Sequence, residues 1–114
     1  MTECLFCKVR DGEIPADMVY ENDAVIAFRD VNPQAPTHIL IVPKKHIATV
    51  NDLDEADAPV TGEMYLAAKR IATSEGIDED GYRLVVNCNS CAGQTVFHIH
   101  MHMLGGRAMT WPPG

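Results

Sequence analysis

Three histidines at alternate positions, His98, His100 and His102, are the residues of this sequence best suited to chemistry. On a β-strand, alternate side chains project from the same face, about 6.6 Å apart. Imidazoles this close cannot all be protonated at low cost, so at least one should be neutral near pH 7. A neutral imidazole is a nucleophile or a metal ligand, and a flanking ring can donate N–H to a phosphate oxygen. The pattern therefore predicts either a nucleophilic site or a three-histidine zinc site.

Two Cys-x-x-Cys pairs of identical spacing form a second candidate site, Cys4 with Cys7 and Cys88 with Cys91. In a reducing compartment this spacing indicates metal or redox chemistry before structural disulfides. The two pairs could together form a Cys₄ zinc ribbon, although the 80 residues between them (8 to 87) exceed the usual spacing.

The segment before the histidine row contains small residues and neutral hydrogen-bond donors. Gly93 allows a ligand to approach the backbone closely, and Gln94 and Thr95 are donors suited to a phosphate group. Thr95 could also pass a proton to a leaving group. Asn87 is another candidate donor, and the alternative for the whole segment is a plain loop that enters the strand.

The elements that must position these residues are short strands and one long helix. Runs rich in β-forming residues predict strands over 18–20, 24–29, 38–43, 82–87 and 96–104. Apolar residues at helical spacing predict a helix over 58–75, with Asp57 as N-cap and Gly76 at its end, and a short helical turn over 5–10. The acidic run 52–57 is interpreted as a solvated approach to the helix. The order of elements predicts an α+β fold with an antiparallel sheet, in which Ile99, Met101 and Met103 pack under the helix.

Composition limits the partners and the location of the protein. The chain has 114 residues, which predicts a single domain over 1–114, and a net charge of −7. That charge argues against nucleic acid and anionic membranes as partners, because both bind through basic residues, but it does not exclude a nucleotide in a small pocket. Neither a signal peptide nor a membrane span is apparent, which predicts a cytoplasmic protein, or a nuclear one in a eukaryote.

The segment from His98 to Leu104, His-Ile-His-Met-His-Met-Leu, resembles the histidine-triad motif of the HIT superfamily. Four further segments are similar to its HINT branch, the histidine triad nucleotide-binding proteins. They are AFRDVNPQAPTH at 27–38, VPKKH at 42–46, GQTVFH at 93–98 and WPPG at 111–114. The third histidine separates the chain from the galactose-1-phosphate uridylyltransferases, which have Gln there. The resemblance covers essentially the whole chain.

The resemblance implies a hydrolase that cleaves the P–N bond of purine nucleoside 5′-phosphoramidates through a nucleotidyl-histidine intermediate. His100 would be the nucleophile, His98 and His102 would flank it, His38 would be a supporting fourth histidine, and Thr95 would assist catalysis. The alternative is a dimer that binds purine nucleotides, or acts as a scaffold, without catalysis. The nucleotide contacts implied are Asp30 on the ribose, Phe6, Val9, Phe28 and Val31 around the base, and Asn87, Gln94, Thr95, His100 and His102 on the phosphate.

The resemblance also implies a cofactor and an assembly. Cys4 and Cys7 match a zinc pair of microbial members, in which the remaining ligands correspond to His46 and His98. Such a zinc would be structural, and catalysis would need no cofactor. A further alternative is a metal-binding module in which all three histidines and the cysteines hold zinc. Cys88 and Cys91 depart from the family and remain unassigned. The fold implied is a five-stranded antiparallel sheet with one long helix and a short N-terminal helix. Two sheets would join across a homodimer, with Trp111 near the partner's site.

Overall fold

A computed structural model describes residues 4–114 as an antiparallel sheet with two α-helices. The strands are β1 (Met18–Glu21), β2 (Val25–Arg29), β3 (Thr37–Pro43), β4 (Tyr82–Val85) and β5 (Met101–Gly105). The helices are α1 (Leu5–Arg10) and α2 (Ala58–Glu75). The strand order is β1-β2-β3-β5-β4, and every neighbouring pair is antiparallel. The predicted α+β class, the long helix and the short N-terminal helix are confirmed.

The sheet has one face under α2 and one face toward α1. Ile39, Ile41, Met101 and Met103 join Met64, Ala67, Ala68, Ile71 and Ala72 of the helix in one buried cluster. The alanines allow the helix to approach the sheet closely. On the opposite face, Phe28 and Leu40 form a second cluster with Phe6 of α1. The prediction that the apolar residues alternating with the histidines face the helix is confirmed for Met101 and Met103, and the alternate residue His102 consequently faces the second cluster. Ile99 is buried but does not belong to the cluster under the helix.

The last strand is shorter than predicted, because it begins at Met101 rather than at residue 96. In the register of β3 and β5, Ile41 pairs with Met101, so a longer ladder would place Ile99 opposite Pro43. Proline has no N–H to donate. The carbonyl of Pro43 is taken by the His98 ring at 2.7 Å, and the N–H of Ile99 bonds instead to the carbonyl of Ile47.

The ends of α2 confirm one prediction and correct another. Gly76 ends the helix in the left-handed conformation at φ 73°, as predicted. Asp57 occupies the N-cap position, but its side chain makes no capping bond there. It is buried, and it accepts bonds from the backbone N–H of Asp54 at 3.1 Å and from Lys45 at 2.6 Å.

The acidic segment before the helix is largely solvated, as predicted, since Asp52, Asp54 and Glu55 are exposed, and it is also ordered. It forms two 3₁₀ turns, Val50–Asp52 and Glu55–Asp57, each closed by a capping box. Acidic side chains at these positions satisfy backbone N–H groups that the short turns leave without carbonyl partners. Among the helices at 4–114, none is both long and apolar enough to cross a membrane.

Candidate active site

Two of the three predicted histidines, His100 and His102, form a connected group with His38 on the face of the sheet that carries Leu40. The ring centroids of His100 and His102 are 5.0 Å apart, and those of His38 and His102 are 5.2 Å apart. His38 lies on β3 and His102 on β5, which are paired neighbours in the sheet. Two adjacent strands therefore bring together residues that are 64 positions apart in the sequence.

The backbone determines which nitrogen of His100 carries its hydrogen. Its Nδ1 lies 2.8 Å from the carbonyl oxygen of His98, and because a carbonyl only accepts, Nδ1 is the donor. The lone pair of a neutral ring is then on Nε2. Burial lowers the pKa of His100, which favours the neutral form. His100 is thus held as an imidazole whose Nε2 can act as a nucleophile.

His102 has the opposite tautomer to His100, and a chain of two hydrogen bonds that begins at Gln34 determines it. The backbone N–H of Gln34 donates to Nδ1 of His38 at 3.0 Å, so neutral His38 carries its hydrogen on Nε2. That nitrogen lies 3.0 Å from Nδ1 of His102, which must accept and which therefore carries its own hydrogen on Nε2. Burial lowers the pKa of His38 and lowers the pKa of His102 to about 4. The site thus pairs a lone pair on His100 with an N–H donor on His102.

The first triad histidine belongs to a different group of side chains. His98 is fully buried, and its Nδ1 lies 3.2 Å from Nδ1 of His46, 3.3 Å from Sγ of Cys4 and 3.5 Å from Sγ of Cys7. Sγ of Cys7 lies 3.4 Å from Nδ1 of His46. Because Nε2 of His98 donates to the carbonyl of Pro43, its Nδ1 has the lone pair that a metal needs.

These separations fit a tetrahedral zinc ion. With Zn–N near 2.05 Å and Zn–S near 2.3 Å, the edges of the tetrahedron are about 3.3 Å for N–N and about 3.6 Å for N–S. All four ligand atoms lie within 4.8 Å of one another. The set is Cys₂His₂, which is a common donor set of structural zinc sites.

This arrangement resolves the alternatives that the sequence left open. The alternative of a four-cysteine ribbon does not fit, because the second pair of potential ligands in the group is His46 and His98 rather than Cys88 and Cys91. A module with all three triad histidines on one metal does not fit either, since each group of potential ligands found among the described residues contains only one triad histidine.

A second set of potential ligands, Asp30, His38 and His102, also lies within 4.8 Å. A cation on Nε2 of His38 would require a hydrogen on Nδ1, where the N–H of Gln34 already points. The tautomer of His38 therefore favours a hydrogen-bond relay over a metal site.

A pocket of about 740 Å³ lies between α1 and the sheet. Its walls include five residues predicted to surround a nucleoside, namely Phe6, Val9, Phe28, Asp30 and Val31. Thr95 also lines it. Most of the remaining lining is apolar, and the volume lies in the range of small-molecule sites. The carboxylate of Asp30 is 3.4 Å from Nε2 of His38, so the pocket adjoins the histidine relay.

The comparison with known proteins identifies the family. A family model described as the HIT domain matches residues 11–109. This chain belongs to the HIT domain family. The purine nucleoside phosphoramidase of Escherichia coli K12 is 54% identical to this HIT protein over 107 residues, which cover 94% of this chain and 90% of the relative.

Solved structures agree with this assignment. The crystal structure of a HIT family hydrolase from Legionella pneumophila Philadelphia 1 matches with a TM-score of 0.96 and 58% identity, over 98% of this chain and 100% of that one. A Zn-bound histidine triad family protein from Mycobacterium smegmatis matches with a TM-score of 0.81 and 30% identity, over 92% of this chain and 76% of that one.

Gln94 takes a role in this HIT protein that the sequence did not indicate. Its side chain is buried, with Oε1 accepting from the N–H of Asn89 and Nε2 donating to the carbonyls of Ala48 and Val96. Both amide hydrogens are engaged, so a phosphate contact would require these bonds to break. Gln94 ties down the loop that presents Thr95 to the pocket. Asn87 follows the end of β4 and is not part of the pocket lining.

Sequence reasoning missed several residues of the site. The pocket is also lined by Leu5, Ile14, Pro15, Ala16, Asp17, Arg29, Leu40 and Val96. Leu40 could have been recognised from strand alternation, since it lies two residues from His38 on the same face of β3. The role of Gln34 had no signal, because it acts through its backbone N–H rather than its side chain.

Proposed function

We propose that this HIT protein hydrolyses purine nucleoside 5′-phosphoramidates. The E. coli relative named purine nucleoside phosphoramidase supports this activity. The observation that carries the proposal is the opposite protonation of two adjacent rings, with a lone pair on His100 and an N–H on His102, beside a pocket of mononucleotide size. A phosphorus atom between these rings meets a nucleophile and a donor for its oxygens.

The reaction proceeds in two steps in this proposal. Nε2 of His100 attacks the α-phosphorus, a P–N bond to the ring forms, and the P–N bond to the amine breaks. The nitrogen that leaves takes up a proton, for which the hydroxyl of Thr95 is the proposed donor. Water then attacks the nucleotidyl-histidine and returns a proton to Thr95, and His100 leaves as a good leaving group, which releases the nucleotide. Nε2–H of His102 bonds a phosphate oxygen in both steps.

The pocket walls account for recognition of the nucleoside. Phe6, Val9 and Phe28 provide apolar surface for a purine, with Val31 at the exposed rim. Asp30 accepts hydrogen bonds from the ribose hydroxyls. The N–H of Asn32 donates to Oδ1 of Asp30 and so orients this carboxylate. Asn87 remains a proposed phosphate donor.

We propose in addition that Cys4, Cys7, His46 and His98 hold a structural zinc ion. The tetrahedral separations of the four ligand atoms support this, and so does the Zn-bound relative from M. smegmatis. A zinc ion there would join α1, which forms one wall of the pocket, to the residues that follow β3 and to the segment before β5 that carries His98. A reducing compartment such as the cytoplasm suits the site, because zinc requires both cysteines as thiolates.

The assembly proposed is a homodimer of single HIT domains, each spanning 1–114. Within 4–114, β4 pairs with β5 alone, so its second edge is available to a strand of another copy. Trp111 is 82% exposed and lies on the C-terminal segment, consistent with a role near the partner's site. Analytical ultracentrifugation at micromolar concentration tests the dimer.

The test of the catalytic proposal is to trap the intermediate. Rapid acid-free quenching of the enzyme with adenosine 5′-phosphoramidate, followed by peptide mass spectrometry, should place a nucleotidyl group on His100. His100→Ala should bind AMP and form no adduct, whereas His102→Gln should form the adduct more slowly. The alternative of a non-catalytic nucleotide-binding dimer predicts AMP binding, negligible turnover and no adduct in all three proteins.

The zinc proposal has a matched pair of variants in the two Cys-x-x-Cys motifs. Metal analysis of the purified protein should find one zinc per chain, lost in Cys7→Ser and kept in Cys91→Ser. A zinc content unaffected by Cys7→Ser would show that the metal lies elsewhere.

A further inference from the structure

The residue that follows the triad strand by two positions, Arg107, contacts the loop that determines the tautomer of His38. Its Nε and Nη2 donate to the carbonyl oxygen of Gln34 at 3.2 and 3.0 Å. The N–H of the same residue, Gln34, is the donor to Nδ1 of His38. Arg107 therefore holds Gln34 by its carbonyl while the N–H of Gln34 holds the ring.

A second contact shows that the C-terminal segment is packed on this loop. Gly106 has φ 87°, a conformation that favours glycine, and a Cβ at this position would lie 2.9 Å from Cβ of Pro36. The backbone at Gly106 thus approaches the loop more closely than a side chain would permit. The fork of Arg107 on Gln34 is consistent with this close approach.

The loop between β2 and β3 needs such support because it is exposed. Asn32, Pro33, Gln34 and Pro36 are all at the surface. Within the loop, the side chain of Gln34 bonds to the carbonyl of Asn32, and the N–H of Asn32 bonds to Asp30. These bonds tie the loop to itself, whereas the bonds from Arg107 tie it to the segment that leaves β5.

We propose that Arg107 is a positioning residue for the reaction, which acts through Gln34 and His38 to keep the hydrogen of His102 on Nε2. The contacts form a closed circuit, from His102 along β5 to Arg107, across to Gln34, to His38 and back to His102. If the N–H of Gln34 moves away, neutral His38 is free to carry its hydrogen on Nδ1. Its Nε2 then accepts from Nδ1 of His102, and His102 turns a lone pair instead of a donor toward the phosphate.

The consequence for catalysis is a loss of rate rather than of binding. Arg107 is not part of the pocket lining, so its removal leaves the nucleoside contacts in place. We expect Arg107→Ala to lower kcat by roughly threefold to tenfold, which corresponds to loss of the one neutral hydrogen bond from the N–H of Gln34 to His38. KM should change less than twofold. Arg107→Lys, which keeps one donor to the carbonyl, should give an intermediate kcat.

A tautomer measurement separates this role from a general effect on structure. In ¹⁵N NMR of histidine side chains, a ring nitrogen with a hydrogen and one with a lone pair have well-separated shifts. In the wild-type protein, His38 and His102 should both show a hydrogen on Nε2, and in Arg107→Ala both should show a mixture of tautomers. His38→Asn assigns the His38 signals. The measurement needs no substrate, so it tests Arg107 even if phosphoramidate hydrolysis, on which the kinetic arm rests, is not the activity.

The matched control is the other arginine that holds the C-terminal segment. Arg83 donates to the carbonyl of Thr110 at 2.9 Å and does not contact Gln34 in the described chain. Arg83→Ala loosens the same segment and should leave both tautomers as in the wild type. Unchanged tautomers in Arg107→Ala would overturn the proposal, and so would an equal tautomer change in Arg83→Ala.

Discussion

Phe6 links the short N-terminal helix to the histidines of the proposed site, and its replacement gives a quantitative test of that site. The ring is 4% exposed, and its edge-to-face partners are Phe28 at 5.5 Å, His98 at 6.1 Å and His100 at 5.0 Å between centroids. Leucine in its place keeps most of the apolar volume and removes the three ring contacts.

The expected loss of stability follows from those contacts. An aromatic pair contributes about 0.5–1.5 kcal/mol beyond its buried area, so three pairs near the lower limit amount to roughly 1.5–2 kcal/mol. The lower limit applies because the ring also faces the open pocket. With a urea m-value of about 1.3 kcal/mol per M, Phe6→Leu should lower the unfolding midpoint by about 1.2–1.5 M.

Phe97 provides the matched control within the same chain. It is 47% exposed, and no ring contact is found for it in the described part of the chain. Phe97→Leu should therefore change the free energy of unfolding by no more than about 0.5 kcal/mol. Urea unfolding followed by circular dichroism measures both variants.

Two further measurements connect this stability change with the site. Phe6→Leu should raise KM for an adenosine phosphoramidate, because the base loses an aromatic wall. Its zinc content should equal that of the wild type, which distinguishes loss of the ring from loss of the metal proposed at the flanking Cys4 and Cys7. Equal midpoint shifts for Phe6→Leu and Phe97→Leu would refute the reasoning.

Three other predictions concern stability. His102 has a folded pKa of about 4, below the ordinary value of 6.5. Between these pH values the unfolded chain binds a proton at His102 that the folded chain does not, so the free energy of unfolding should fall as pH decreases from about 6.5 to 4. In urea titrations, His102→Gln should reduce the dependence of this free energy on pH. Gly105→Ala would place Cβ 2.5 Å from Cδ1 of Ile77, so it should lower the free energy of unfolding by about 1–3 kcal/mol. Adding Ile77→Val, which removes Cδ1, should recover part of that loss. Strictly additive effects of the two substitutions would contradict the contact. Glu75→Gln removes a two-bond ion pair with Arg29 and should cost about 0.5–1 kcal/mol at pH 7. Because Arg29 lowers the pKa of Glu75, this difference should disappear as pH falls through that lowered pKa if the pair is responsible.

Local patterns predicted those parts of the fold that depend on neighbouring residues. The period of the apolar residues predicted α2 and its end at Gly76, and strand alternation predicted that Met101 and Met103 face the helix opposite His102. These predictions succeeded because side-chain direction is set by the backbone within a few residues.

Predictions that depended on a distant group were less complete. The N-terminal limit of β5 is decided by Pro43, which offers no N–H and gives its carbonyl to His98. The side chain of Asp57 turns away from the helix that it precedes because Lys45 and the backbone of Asp54 compete for it. Gln94 was predicted to contact phosphate because its side chain is a neutral donor, but that side-chain amide is hydrogen-bonded to three backbone groups.

The sequence by itself determined that three imidazoles share one side of the chain and that two cysteine pairs have metal-site spacing, because both patterns are short in range. It could not decide which imidazole meets metal and which meets substrate. That division depends on partners that only the folded chain brings near: cysteines more than ninety positions before His98, the carbonyl that orients His100, and the N–H of Gln34 that reaches His102 through His38. The residues specify the chemistry that is available, and the tertiary structure, by placing a donor or acceptor against one nitrogen of each ring, sets the tautomers on which the proposed roles rest.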